Sequence, residues 1–109
     1  MKYNIKATKV ELTPEIKAYV EKKLDMLDKY LGSIKPIDCH VNIGIAVGGQ
    51  NAGDIYKTEI SLSLPNVVLV IEKVEQDIFK SVDKVKDQLA RAIVKHKEKM
   101  IDRRRVSIK

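Results

Sequence analysis

Residues Gln76–Arg105 read QDIFKSVDKVKDQLARAIVKHKEKMIDRRR, and this stretch decides the fold. Apolar residues recur at Ile78, Val82, Val85, Leu89, Ile93 and Met100, with His96 on the same line. Steps of three and four trace one stripe along a long amphipathic helix. At about 100° per residue, Lys84, Arg91, Lys95 and Lys99 fall on one shoulder of the stripe, and Lys86 and Lys97 on the other. Asp83, Asp87 and Glu98 are expected on the far face, pairing with lysines three or four residues away. Such a helix packs its stripe inward and turns cations outward.

Charge is segregated onto this element. From position 76 to the end the chain carries eleven Lys/Arg against five Asp/Glu, which is the whole of its net charge of +6. The remaining 75 residues carry ten of each sign. A charge run is often only a solvated face, but confinement to one helix and a pI of about 9.4 favour a polyanionic partner. A chain of 109 residues makes one domain that buries a single core. With no Trp, one Phe and four Tyr it has little material for stacking unpaired bases. Its single cysteine excludes an internal disulfide, and no signal peptide or membrane span is recognisable, so a cytoplasmic protein is expected.

Upstream, Met1, Tyr3, Ile5 and Ala7 alternate with Lys2, Asn4 and Lys6, as in a half-buried strand. Thr13 followed by Pro14 is a helix start. One helix is expected from there through Ile16, Tyr19, Val20, Leu24, Leu27, Tyr30 and Leu31 to a stop at Gly32. Ile37, Cys39, Val41, Ile43, Ile45 and Val47 then alternate with polar or small residues, predicting a second strand with the cysteine in the core. The GGQNAGD segment separates it from a third strand carrying Tyr56, Thr58, Ile60, Leu62 and Leu64, and Pro65-Asn66 marks a turn. VVLVIEKV, apolar on both faces at first, predicts a central or covered fourth strand. The order is β-α-β-β-β-α. It defines an α+β domain, a four-stranded sheet with two helices on one face, similar to a double-stranded-RNA-binding domain.

Catalytic and metal chemistry find little support. Gly48 and Gly53 have the spacing of a phosphate-binding loop, but Asp54 stands where a lysine is required, and the segment joins two strands. His40, His96 and Cys39 do not supply the three or four ligands of a metal site. No carboxylate pair is marked out. A non-enzyme without metal, cofactor or small-molecule substrate is expected.

VELTPEIKAYVEKKLDMLDKYL, residues 10 to 31, resembles the first-helix segment of the short ribosome hibernation-promoting factors, the family that includes ribosome-associated inhibitor A. GDIYKTEISLSLPNVVLVIEKVEQDIFKSVDKVKDQLARAIVKHKEK, residues 53 to 99, is similar to the rest of that domain. QDIFKSVD stands for the family's acidic-D-hydrophobic-aromatic helix start, and QLARAIVKHKEK for its K-L-x-R-Q-L-x-K-x-K-x-K run. Met26 and Gln88 replace common lysines, Val70 replaces a frequent polar residue, and GGQNAGD lacks the basic or histidine-rich character often found there.

The resemblance implies binding to the small ribosomal subunit between head and body, over the decoding region, so that tRNA and mRNA are blocked in idle ribosomes. It implies rRNA-phosphate contacts by Lys17, Lys23 and Lys29 on the first helix and by Arg91, Lys95, Lys97 and Lys99 on the second. Lys84 and Lys86 join this set from the helical wheel alone. A ribosome-binding domain over 1–105 with a short 106–109 tail is expected, monomeric off the ribosome, without the second domain of long family members or the acidic tail of the inhibitor subtype. Two other readings accompany it: a general double-stranded RNA binder, and a protein-interaction module whose basic helix docks an acidic partner.

Overall fold

A computed structural model describes residues 1–46 and 55–107, with side chains followed through Ile101. The elements are β1 (Asn4–Thr8), α1 (Pro14–Asp25), α2 (Asp28–Leu31), β2 (Asp38–Ala46), β3 (Ile55–Leu64), β4 (Val67–Glu75) and α3 (Ile78–Ser107). Val47 and the GGQNAGD segment lie outside the described residues. The strands form one sheet in chain order, with β1 parallel to β2 and the other two pairings antiparallel. The expected α+β architecture is present, with the helices layered on one sheet face.

The sequence signals act locally as read. The Thr13 hydroxyl accepts from Ile16 N at 3.2 Å, and Pro14 follows it as the first helical residue. Asp77 caps α3, its carboxylate accepting from Phe79 N at 2.8 Å. Gly32 closes α2 at φ 58°, where a side chain would be strained. Asn66 turns the β3–β4 hairpin at φ 74°, a conformation asparagine tolerates.

The core lies between the sheet and the helices. Leu89 and Ile93 of α3 and Leu62 of β3 are wholly excluded from solvent, and Val41, Ile43 and Ile60 nearly so. Truncating one of the large core residues to alanine costs about 2–5 kcal/mol. One polar pair is sealed inside. The Ser81 hydroxyl donates to the Ile78 carbonyl at 2.7 Å, so Thr58 must be the donor in the 2.6 Å bond between the Thr58 and Ser81 hydroxyls.

Three sequence expectations are corrected. The first helix is two. Leu27 N bonds Leu24 O at 2.9 Å and Tyr30 N bonds Leu27 O at 3.0 Å, a tight three-residue turn that separates α1 from α2 while keeping Leu24, Leu27 and Leu31 buried. The fourth strand is neither central nor covered. β4 forms the sheet edge, and because the helices lie on the other face, Val68, Val70 and Val74 are exposed. Finally, Ile37 and Ile45, expected to face the core, are exposed where β2 begins and approaches its end. The alternation of the first strand persists from Met1, although pairing begins only at Asn4.

Candidate nucleic-acid interface

α3 is 30 residues long, about 45 Å at 1.5 Å per residue, and so outruns the strands beneath it. One flank of it faces α1 and α2. Tyr19 donates to Asp83 Oδ1 at 2.6 Å, and Lys23 Nζ lies 3.2 Å from the same oxygen. The Tyr19 ring meets Phe79 edge-on at 4.9 Å, with Lys23 Nζ 5.2 Å from its centroid. Farther along, Lys97 Nζ donates to the Tyr30 carbonyl at 3.0 Å. The Asp83 hydrogen bond pushes the Tyr19 hydroxyl up to about 12, burial adding to the effect.

The nine residues expected to bind RNA therefore divide. Lys23, Lys86 and Lys97 are engaged inside the molecule: Lys23 with Asp83, Lys97 with the end of α2, and Lys86 with Asp87 at 2.7 Å, its side chain only 12% exposed. Lys84 is exposed but pairs with Glu75. Among the described residues, Lys17, Lys29, Arg91, Lys95 and Lys99 enter no ion pair, and all five are exposed. The acids also differ from the expected pairing at three or four residues. Asp83 turns toward α1 and Asp87 meets its neighbour Lys86.

Two of the unpaired cations share a groove. Tyr30 of α2 and Asp87, Ala90, Arg91, Val94, Lys95 and Glu98 of α3 line an open groove of about 520 Å3. Lys29 does not line the groove, but its Nζ lies 5.1 Å from the ring centroid of Tyr30, which does. Lys17 sits apart, in a recess with Tyr3, Asn4 and Ile5 of the β1 flank, and Lys99 lines another with Asn66, Val67 and His96. The groove sets two unpaired cations, Arg91 and Lys95, and apolar Ala90 and Val94 beside the carboxylates of Asp87 and Glu98, so its attraction for an oxygen-rich polyanion lies at the two cations. The Asp87 carboxyl is held below its usual range, chiefly by its hydrogen bond with Lys86 and then by the charges of Lys86, Arg91 and Lys23.

Tyr30 is the residue that sequence reading missed as part of the surface. It was assigned to the helix stripe, and it is indeed half-buried against the core. Only the stop signal at Gly32, two residues on, hinted that its ring stands at a helix end. Cys39 is buried as expected, its thiol pushed up to about 11 by burial. His40 is exposed and 3.7 Å from Asp38, while His96 is half-buried. No cluster of three or more metal-ligating side chains occurs among the described residues, and none of their helices is long and apolar enough to cross a membrane.

The sheet order, the paired helical layer and the exposed basic ridge define a small α+β domain with a cationic helical face. Residues 3–101 match the family described as Sigma 54 modulation protein / S30EA ribosomal protein, and the chain belongs to that family. It is 36% identical over 100 residues to a ribosome hibernation promotion factor of Lactococcus lactis subsp. cremoris, covering 92% of this chain and 51% of that protein. The chain thus spans about half the length of such relatives. The N-terminal domain of Thermus thermophilus Protein Y superposes with a TM-score of 0.70 at 24% identity, covering 88% of this chain and 99% of that one. A ribosomal subunit interface protein from Coxiella burnetii gives 0.76 at 19% identity, over 90% and 99% of the two chains. These two likenesses establish the shared fold.

Proposed function

We propose that this chain is a ribosome hibernation factor that docks on the small ribosomal subunit over the decoding region and keeps tRNA and mRNA out of idle ribosomes. The observation that carries this reading is the pair Arg91 and Lys95 in the Tyr30 groove, with Lys29 beside the Tyr30 ring and none of the three charges consumed inside the fold. The names of the full-length relatives and of the Coxiella protein point the same way. Action is by occlusion. Phosphate contacts hold a rigid domain where ligands of the subunit would sit, and no bond is made or broken. Such a mechanism needs no cofactor and no small-molecule substrate, and it places the protein in the cytoplasm as a single copy on rRNA. Lys17 and Lys99 extend the contact on either side. Lys23, Lys84, Lys86 and Lys97 contribute to it mainly by holding the surface in shape.

Sedimentation through a sucrose gradient tests this. The purified chain should travel with small subunits, and subunits loaded beforehand with mRNA and tRNA should exclude it. Simultaneous binding of the chain and both ligands would refute occlusion. Equal affinity for naked double-stranded RNA would favour a general RNA-binding module instead.

A further inference from the structure

The side of the molecule where α3 does not meet α1 carries an arrangement that the ribosome reading touches only at Arg91 and Lys84. β4 is the last strand of the sheet, so along nine residues its outer backbone groups have no strand partner among the described residues. Natural sheets blunt such edges with bulges, prolines or charges, and the first five residues here, Val67 to Ile71, contain none of these.

The two faces of this edge differ in chemistry. On the open face stand Val68, Val70 and Val74, 57%, 55% and 48% exposed. Glu72 between them is already paired with Lys57 at 3.1 Å. On the helix side, Lys73 of β4 meets Lys84, Asp87, Gln88 and Arg91 of α3 around a recess of about 360 Å3. The edge therefore offers backbone hydrogen bonds in the middle and exposed valines on one face. On the other, beyond half-buried Val67, Leu69 and Ile71, it offers the recess where, among the described residues, Lys73 and Arg91 enter no ion pair and Lys84 is held by Glu75.

We propose that the free edge of β4 is a docking strand for an extended, acidic protein segment. Such a segment pairs its backbone with β4 and continues the sheet. Its side chains then alternate, apolar residues against Val68, Val70 and Val74, carboxylates toward Lys73 and Arg91. Nucleic acid fits less well, because phosphates gain nothing from the valines and, being acceptors only, leave the outward carbonyls of the edge unpaired. A second copy of the chain also fits less well. Two-fold pairing of β4 with β4 continues one sheet and lays α3 beside α3, like charges of Lys84 and Arg91 facing each other across the seam.

The probe is a fluorescent synthetic peptide of alternating valine and glutamate, as long as β4, titrated into the full chain and followed by anisotropy. The proposal expects saturable binding, a loss of about tenfold or more when alternate peptide nitrogens are methylated, and similar losses with Lys73→Glu or Val70→Lys. Both substitutions lie at exposed or half-exposed edge positions, and matched thermal melts establish that each variant is folded. Methyl-sensitive, saturable binding lost in both variants supports docking along the strand. Absence of saturable binding overturns it, as does equal binding by a peptide of the same composition with valines and glutamates in separate blocks. Tight binding of an oligouridylate that is lost in Lys73→Glu, without peptide binding, would assign the recess to nucleic acid and likewise end the proposal.

Discussion

Lys97 of α3 donates a 3.0 Å hydrogen bond to the backbone carbonyl of Tyr30, the residue whose ring forms one wall of the basic groove. A lysine in the middle of the cationic run thus completes the C-terminal turn of a helix from elsewhere in the fold. A positive group at a helix C-terminus meets both the unpaired carbonyls and the negative end of the peptide dipoles. A Cβ added at Gly32 would lie 3.5 Å from the same Nζ, so the turn and the lysine are fitted to one another.

Replacing Lys97 by methionine keeps the aliphatic stem and removes the donor. The expected cost is about 1–2 kcal/mol of folding stability, read as a lowered denaturant midpoint at unchanged slope. Subunit binding, measured well below the melting temperature, should change only a few-fold. A large loss of binding without loss of stability would show that Lys97 meets rRNA directly.

Tyr19 and Asp83 make the corresponding clamp at the other end of the helical layer. Tyr19→Phe keeps the edge-on contact with Phe79 and leaves Asp83 with Lys23, so the cost should be about 1 kcal/mol. The pH dependence follows from the raised hydroxyl, whose protonated form is favoured in the fold. Its contribution is complete below the ordinary tyrosine value of 10 and is lost as pH rises from there to about 12. The parent should lose its advantage over Tyr19→Phe across that window in paired denaturation curves, and an advantage independent of pH would contradict the clamp.

The sealed Thr58–Ser81 pair should show non-additive behaviour. Ser81→Ala strands the Thr58 hydroxyl without an acceptor and is expected to cost about 1–3 kcal/mol. Adding Thr58→Val removes the stranded group with little change of shape. The double variant should therefore be no less stable than Ser81→Ala alone, which a double-mutant cycle by chemical denaturation measures.

Much of this fold is written in local pattern. The Val82–Val85–Leu89–Ile93 stripe, the Thr13-Pro14 start and the alternation from Cys39 to Ile43 each express the periodicity of one element, and a single sequence displays it. Leu24, Leu27 and Leu31 are spaced as well for an unbroken helix as for two helices joined by a tight turn, so the break at Leu27 was hidden. β4 misled for a different reason. Apolar residues on both faces read as a covered strand, whereas sheet order alone decides that nothing lies over Val68 and Val70.

The interface was legible as a charge excess but not as a geometry. Lys23 finds Asp83 and Lys97 finds Tyr30 across separations of sixty or more residues. A helical wheel has no access to such partners, so it left Lys97 among the outward cations of α3, while Lys23 entered with the family resemblance. Likewise it placed Asp83 on the far face, although α1 lies against it.

Salt sensitivity follows from the reduced count of unpaired cations. With about five phosphate contacts, the slope of log affinity against log salt should be near −4, applying nucleic-acid counterion release to folded rRNA. A slope near zero would indicate a surface held by apolar contacts.

The most direct measurement compares two double charge reversals in small-subunit binding. Arg91 and Lys95 lie one turn apart on the exposed side of α3 and line the same groove, and neither belongs to the core. Lys2 and Lys6 are exposed on the N-terminal segment, and their reversal changes net charge equally. Either pair changed to glutamate should cost little folding stability, about half a kcal/mol or less per residue. The account predicts that Arg91→Glu/Lys95→Glu abolishes binding at moderate salt while melting like the parent, and that Lys2→Glu/Lys6→Glu retains most of it. Equal losses from both pairs would mean that only total charge matters, and would contradict an oriented contact through the groove between α2 and α3.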